Sequence, residues 1–324
     1  MKTVEDIHLL VNSSLEQLNW EKEPQGLYAP IAYTLSLGGK RVRPALTLMA
    51  CNLYTDELDK AIRPALAIEV FHNFTLLHDD IMDKATLRRG KPTVHLKWND
   101  NTAILSGDVM QIAAYILISE APAPVLKPVL NLFSRTAVEI CEGQQYDMEF
   151  ELRDDVSTDE YLEMIRLKTA VLLGCALKTG ALTGGADQED ADNLYAFGEQ
   201  IGIAFQLMDD ILDVYGDEKT FGKKIGGDIL SNKKTYLLLQ AIRLAEGATA
   251  RQLADLLNGS VSGSQDKIRQ VTAIYDKLGV RKIAEDAMDV YYKRALSHLD
   301  LVKVENSRKE VLNQLARNLM NRKD

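Results

Sequence analysis

The chain is 324 residues long, 46% hydrophobic, 26% charged and formally −9 at pH 7. It holds enough apolar material for a sizeable core, and its acidic balance disfavours general nucleic-acid binding. Cys51, Cys141 and Cys175 stand far apart without CxxC spacing, so neither a disulfide framework nor a zinc knuckle is indicated. No strictly apolar run approaches the roughly 20 residues of a membrane helix. Glu5 and Asp6 interrupt the start where a secretory signal would be apolar. The expectation is a cytoplasmic chain without a membrane span.

Apolar residues recur at three- and four-residue spacing from end to end, the mark of amphipathic helix. The pattern starts at Leu9, Leu10, Leu15 and Leu18. It predicts helices near 27–37, 41–53, 60–78, 101–119 and 124–150, then 158–183, 189–214, 234–245, 248–257, 266–278, 279–298 and 303–320. Breaks fall at Pro24–Gly26, Gly38–Gly39, Gly90–Pro92, Pro122–Pro124, Gly184–Gly185 and Gly226–Gly227. Period-2 alternation is scarce and no Pro- or Ser-rich linker divides the chain. The expected fold is all-α, one helical bundle domain over residues 1–324.

Two acidic motifs lie inside these helical patterns. Asp79, Asp80 and Asp83 form one DDxxD; Asp209, Asp210 and Asp213 form the other. The first and third carboxylates stand at i and i+4, on one helix face about 6 Å apart. The middle Asp is turned about 100° away. Two chance copies have a probability on the order of 1–2%. Flanking Leu76, Leu77, Ile81, Leu207, Met208, Ile211 and Leu212 suggest burial, where paired carboxylates are costly without a cation. Glu285, Asp286 and Asp289 imitate the spacing but lack basic and glycine-rich companions, which reads as a solvated face.

Basic loops follow both motifs. Arg88 and Arg89 precede Gly90; Lys219, Lys223 and Lys224 stand among Gly216, Gly222, Gly226 and Gly227. Carboxylate pairs beside flexible basic loops suit a magnesium-bound diphosphate, with up to three ions between two facing Asp pairs. Arg serves there as a fork and Lys as a point charge. Lys40 and Arg43, after Gly38–Gly39, put cations at a helix start, where the dipole favours anions. Beside the Asp motifs they read as a second phosphate site.

Together these residues resemble the trans-isoprenyl diphosphate synthase (polyprenyl synthetase) family of the short-chain farnesyl and geranylgeranyl type. The matching stretches are GGKRVRP, FHNFTLLHDDIMDKATLRRGKPTVH, the GD at 107–108, the KT at 168–169 and FQLMDDILD with GKKIGGDI, spanning about residues 27–236. The resemblance implies the isoprenoid synthase fold, an all-α bundle around a deep central cavity, as a homodimer. It implies Mg²⁺-dependent head-to-tail condensation of isopentenyl diphosphate with an allylic diphosphate. By matching position, Asp79, Asp83 and Asp209 would bind the metal, with Asp80, Asp210 and Asp213 completing the motifs. Lys40, Arg43, His72 and Arg89 match the isopentenyl diphosphate site. Arg88, Lys168, Thr169, Gln206, Lys223 and Lys233 match contacts to the allylic diphosphate.

The growing tail should run down the helix that carries Asp79. Phe74 stands five residues before Asp79, about 7–8 Å below it, and Phe71 about 12 Å below. In the family an aromatic at the fifth position accompanies short products. Thr75 departs from the aromatic found beside it in farnesyl synthases, and the two-residue insertion of many bacterial ones is absent. The expectation is a C15–C20 product with geranylgeranyl diphosphate ahead; the alternatives are a long-chain polyprenyl synthase, a terpene cyclase or a non-catalytic partner subunit.

Overall fold

Thr3 opens the first helix with a capping box: its hydroxyl oxygen accepts the Asp6 amide, and the Asp6 carboxylate accepts the Thr3 amide. Ser157 and Glu160 repeat that arrangement farther along, and Asn99 and Thr235 cap two more helices through their side chains. The computed structural model describes residues 1–216, 225–259 and 263–320. Along them run α1 (Val4–Glu16), α2 (Gln25–Ser36), α3 (Val42–Asn52) and α4 (Asp59–Met82). A short hairpin, β1 (Leu87–Arg88) with β2 (Lys91–Pro92), leads to α5 (Val94–Lys97), α6 (Asp100–Ile118) and α7 (Ala123–Glu151). Next come α8 (Thr158–Ile165), a π-helical turn at Arg166–Ala170, α9 (Val171–Gly184) and α10 (Gln188–Tyr215). The last are α11 (Gly227–Leu230), α12 (Tyr236–Leu244), α13 (Gly247–Leu257), α14 (Ser264–Leu278), α15 (Val280–Leu301) and α16 (Asn306–Met320).

The chain forms two compact units. The first comprises Met1–Arg135, Cys175–Tyr195 and Val302–Val311; the second comprises Thr136–Gly174, Ala196–Leu301 and Leu312–Asp324. In the first, α4 is the buried axis. It packs along α6 and against α3, while α1 lies on α3 and α4 and α2 lies on α6. Ala65, Leu66, Ala67, Ile68, Val70 and Phe71 are all buried, as a helix apolar on every side must be. In the second unit Tyr161, Leu207, Ile211, Leu237, Val271 and Tyr275 share one core. There α12 meets α8, α14 and α15.

The helical succession agrees with the apolar periodicity, and five local differences have physical causes. On α1 the inward face is Ile7, Val11 and Ser14, leaving Leu9 70% exposed. Lys40 and Arg41 precede α3, because Arg41 takes a left-handed backbone (φ 47°) that stops the helix there. The Gly90 break is a two-residue hairpin turn, with Arg89 and Gly90 both at positive φ (53° and 74°), the geometry that matches strand twist. The stretch 158–183 is not one uniform helix but is interrupted by the π-helical turn. Lys303 stands before α16, its amide donating to Asp190 and its ammonium paired with Glu189. Among the described residues α6 is the single helix long and apolar enough to cross a membrane. Its Ala103, Gly107, Met110 and Ala114 are buried in the first unit, as in a core helix.

Candidate active site

In the first unit the last turn of α4 carries Asp79 and Asp80, and Asp83 follows as its C-cap. Asp80 is buried, Asp79 half-buried and Asp83 exposed. The middle carboxylate is committed inside the protein: Asp80 Oδ1 accepts Arg88 Nε at 2.9 Å and Nη2 as well. Arg88 Nη2 also lies 3.7 Å from Asp79 Oδ2. Burial pushes the Asp80 carboxyl above the usual range, against the pull of Arg88. Burial draws Arg88 down, yet Asp80, Asp79 and Asp83 hold it above its ordinary value.

Beside this helix end sits a cationic cluster. Arg41 Nη1 donates to Glu69 Oε1 at 2.5 Å and Nη2 to the Leu35 carbonyl at 2.6 Å. Asn73 Nδ2 donates to the same Glu69 oxygen at 2.9 Å. This buried set fixes the turn from which Lys40 and Arg43 project. Arg43 Nη1 lies 3.1 Å from His72 Nε2, while Arg43 Nε is buried and makes no hydrogen bond. Burial, with Arg89 nearby, lowers Arg43 to about 10. Burial and then Arg43 depress His72 well below its ordinary value. A Cβ on Gly39 would stand 2.7 Å from Arg89 Nη2 and would displace that guanidinium, and the φ of 133° at this position favours glycine as well. Arg89 itself is lowered by burial and by Arg41. The two desolvated guanidinium groups of Arg43 and Arg89, with an unsatisfied donor on Arg43, make a site for an anion. Lys40 stands exposed at its edge.

The second unit repeats the pattern with other partners. On α10, Asp209 and Asp213 are half-buried and Asp210 is buried. Asp210 Oδ2 accepts the Tyr161 hydroxyl at 2.5 Å and the Tyr236 amide at 3.2 Å; Oδ1 accepts Gln206 Nε2 at 3.3 Å. Burial pushes Asp210 up to about 7. Asp213 Oδ2 accepts the Asp228 amide at 3.0 Å, anchoring the start of α11. Lys168, with half-buried Thr169 beside it, stands on the π-helical turn and donates to Asp147 Oδ2 at 2.6 Å. Burial pushes Asp147 up, yet Lys233 and Lys168 together hold it below the usual range. Lys219, Lys223 and Lys224 lie outside the described residues.

Sequence spacing reached the Asp motifs and the basic loop at Arg88, and the family resemblance grouped Arg43 with His72, which the structure brings within 3.1 Å. Spacing placed Gln206 on the face of Asp209, and the structure shows its amide bonded to Asp210. It missed Arg41, Glu69, Asn73, Asp147 and Tyr161. Tyr161 looked like core, and Asp147 meets a lysine 21 positions away that no local pattern reveals. Phe74 packs on Phe71 with ring centroids 5.4 Å apart; Phe71 meets Phe133 edge to face, and Phe133 meets Tyr115 in the same way, each at 5.1 Å. Phe133 and Tyr115 were also missed. The Thr75 hydroxyl turns back to the His72 carbonyl at 2.8 Å.

Among the described residues no group of three or more carboxylate, thiolate or imidazole ligands gathers at one point. The donors at both motifs are carboxylate oxygens with a half-buried first Asp. That set fits Mg²⁺, which keeps several waters and takes one or two carboxylates plus substrate phosphates rather than a protein cage.

Comparison with known proteins places the chain. A polyprenyl synthetase family model matches residues 24–275. A geranylgeranyl pyrophosphate synthase of Geoglobus acetivorans is 39% identical over 309 residues, 94% of each chain. A crystal structure of a geranylgeranyl pyrophosphate synthase superposes with TM-score 0.94 at 44% identity, covering 100% of both chains. A polyprenyl synthase from Caulobacter crescentus, solved with calcium and isoprenyl diphosphate, superposes at 0.83 with 28% identity, covering 98% of this chain and 94% of that one. The helices are those of the isoprenoid synthase fold, and a protein of this class with these sites is a prenyltransferase. The chain belongs to the polyprenyl synthetase family.

Proposed function

We propose that this prenyltransferase joins isopentenyl diphosphate head to tail (1′–4) to an allylic diphosphate, releasing diphosphate and a linear C15–C20 prenyl diphosphate, geranylgeranyl diphosphate first among them. The observation that carries the reading is the cluster of half-buried Arg43 and His72 with Arg89, beside the α4 helix whose last turn carries Asp79. Arg43 and Arg89, with Lys40 at the rim, hold the isopentenyl diphosphate. His72 is kept neutral, so it donates or accepts one hydrogen bond without competing for the anion's charge.

Arg88, Lys168, Thr169, Gln206, Lys223 and Lys233 hold the allylic diphosphate. Asp79, Asp83 and Asp209 hold Mg²⁺, up to three ions with the help of Asp80 and Asp213. The metal, when bound, supplies Lewis-acid stabilisation of charge on the departing diphosphate. The protein's own cations neutralise the remaining charge, and its apolar walls keep water from the allylic cation. The isopentenyl double bond attacks that cation, and the proton lost afterwards passes to the departing diphosphate. The whole chain serves as one catalytic domain.

The edge-to-face cluster of Phe74, Phe71, Phe133 and Tyr115 supports an early floor for the product tail. Phe74→Ala shifts products to longer chains; an unchanged distribution rejects Phe74 as the floor. A homodimer is supported by α6, where Ile104, Leu105, Ile112 and Ile116 are 43–60% exposed along one face. Light scattering of Ile112→Glu, expected monomeric, checks it.

The deciding experiment is a product assay with Mg²⁺, isopentenyl diphosphate and dimethylallyl, geranyl or farnesyl diphosphate, read by mass spectrometry. Linear C15–C20 diphosphates are expected. Products of C25 or beyond keep the enzyme class and overturn the floor. Cyclic hydrocarbons make the protein a cyclase, and no turnover by folded protein makes it a partner subunit.

A further inference from the structure

We infer that the Gly143–Asp147 stretch of α7 is a positioning platform for Lys168: Gly143 seats the backbone of the π-helical turn, and Asp147 fixes the lysine's ammonium. The inference rests on the reading that Lys168 touches the allylic diphosphate.

A π-helical turn is less stable than the α-helix it interrupts and persists where surrounding packing selects it. Here the packing is specific. A Cβ on Gly143 would stand 2.3 Å from the backbone nitrogen of Lys168 and 2.8 Å from the carbonyl carbon of Leu167. Both are main-chain atoms, so no side-chain motion relieves the clash. A second glycine acts on the end of the same turn: a Cβ on Gly202 of α10 would stand 2.7 Å from Ala170 Cα and 2.8 Å from its Cβ. Two helices thus approach the five-residue turn as closely as backbones permit, each through a residue without a side chain.

Asp147 lies four residues after Gly143, one turn on and on the same face. Its Oδ2 takes the Lys168 ammonium at 2.6 Å, and its side chain is only 17% exposed. One face of one helix therefore sets both where the turn sits and where its charged tip points. Lys233 acts on the same carboxylate, so Asp147 also ties together two of the cations assigned to one diphosphate. A platform of this kind holds an ammonium in place before substrate arrives, which lowers the ordering cost of binding.

The test is steady-state kinetics of the full-length enzyme with each substrate varied in turn. Asp147→Asn keeps the shape and removes the anchor; Gly143→Ala inserts the missing methyl group. Each is expected to raise KM for the allylic diphosphate about tenfold while leaving KM for isopentenyl diphosphate within about twofold, the scale of supporting-residue losses. Asp147→Glu restores part of the affinity. A merely structural role moves both KM values together or lowers the yield of folded protein without moving either. Parallel rises, or wild-type allylic KM in Asp147→Asn, overturn the inference. Wild-type enzyme that fails to condense the two diphosphates overturns the parent reading and the platform with it.

Discussion

The regions around Asp80 and Asp210 share a sequence pattern and neutralise it by different means. Asp80 is buried against a guanidinium, with Arg88 only 29% exposed and bridging to Asp79. Asp210 is buried against a phenol, a carboxamide and a main-chain amide, none of them charged. A carboxylate facing a cation keeps its charge at the price of fixing that cation. Burial, joined by the charge of Asp228, pushes Asp210 up to about 7, and its neutral donors offset that only in part. A repeated motif thus leaves the support of its middle carboxylate to the local fold. The imitation motif at Glu285 shows the third possibility. Glu285 pairs with Arg281, Asp286 with Lys282 and Asp289 with Lys293, each with a cation one turn away on α15.

The largest effect should come from the first Asp of each motif. Asp79→Ala and Asp209→Ala are each expected to lower kcat/KM on the order of 10³-fold, the loss of a group that supports developing charge. Near-wild-type turnover in either variant breaks the equivalence of the two regions. The middle positions should then separate them. Asp80→Asn removes the countercharge of Arg88 and should lower kcat/KM about 10–100-fold. Asp210→Asn leaves an amide oxygen that still accepts the Tyr161 hydroxyl, so its loss should stay under about tenfold. Equal losses would show that the mode of neutralisation is immaterial.

Acid provides a smaller contrast. The folded-state value of His72 lies below its ordinary 6.5, so the native protein favours the neutral ring. The stability this supplies is complete above pH 6.5 and is lost as pH falls toward the depressed value. Melting temperature of the metal-free protein should decline through that window, and His72→Gln should flatten the decline. An equally steep profile in the variant assigns the acid response elsewhere. The smallest effect belongs to α15: Asp286→Asn and Asp289→Asn should change stability by no more than about 0.5 kcal/mol and leave turnover intact.

Much of this molecule was legible before any coordinates. Helices follow from apolar spacing because α4, α10 and α12 each bury a continuous set of side chains. The motifs were legible because carboxylates four apart must share a helix face. What stayed hidden was set by partners distant in sequence. The Arg41–Glu69 pair joins residues 28 positions apart, and nothing near Arg41 shows that its charge is already spent. The π-helical turn was hidden for a similar reason. Its own residues, RLKTA, suit an α-helix, and the close approach of Gly143 is what accompanies the wider turn. Leu9 shows the reverse case, an apolar residue in the periodic pattern that faces solvent because Ile7 and Val11 already cover the neighbouring helices.

The cluster at Arg43 has a consequence for the life of the protein outside catalysis. Its desolvated guanidinium groups and unsatisfied donor are a standing cost to the resting fold. On the proposed reading an incoming diphosphate removes that cost, so substrate would act on this protein as a folding partner as well as a reactant. Ligand at 100 times its dissociation constant adds about 2.7 kcal/mol to the folded state. On that reading the protein is expected to open more often, and to be cut faster by added protease, when isopentenyl diphosphate is withheld.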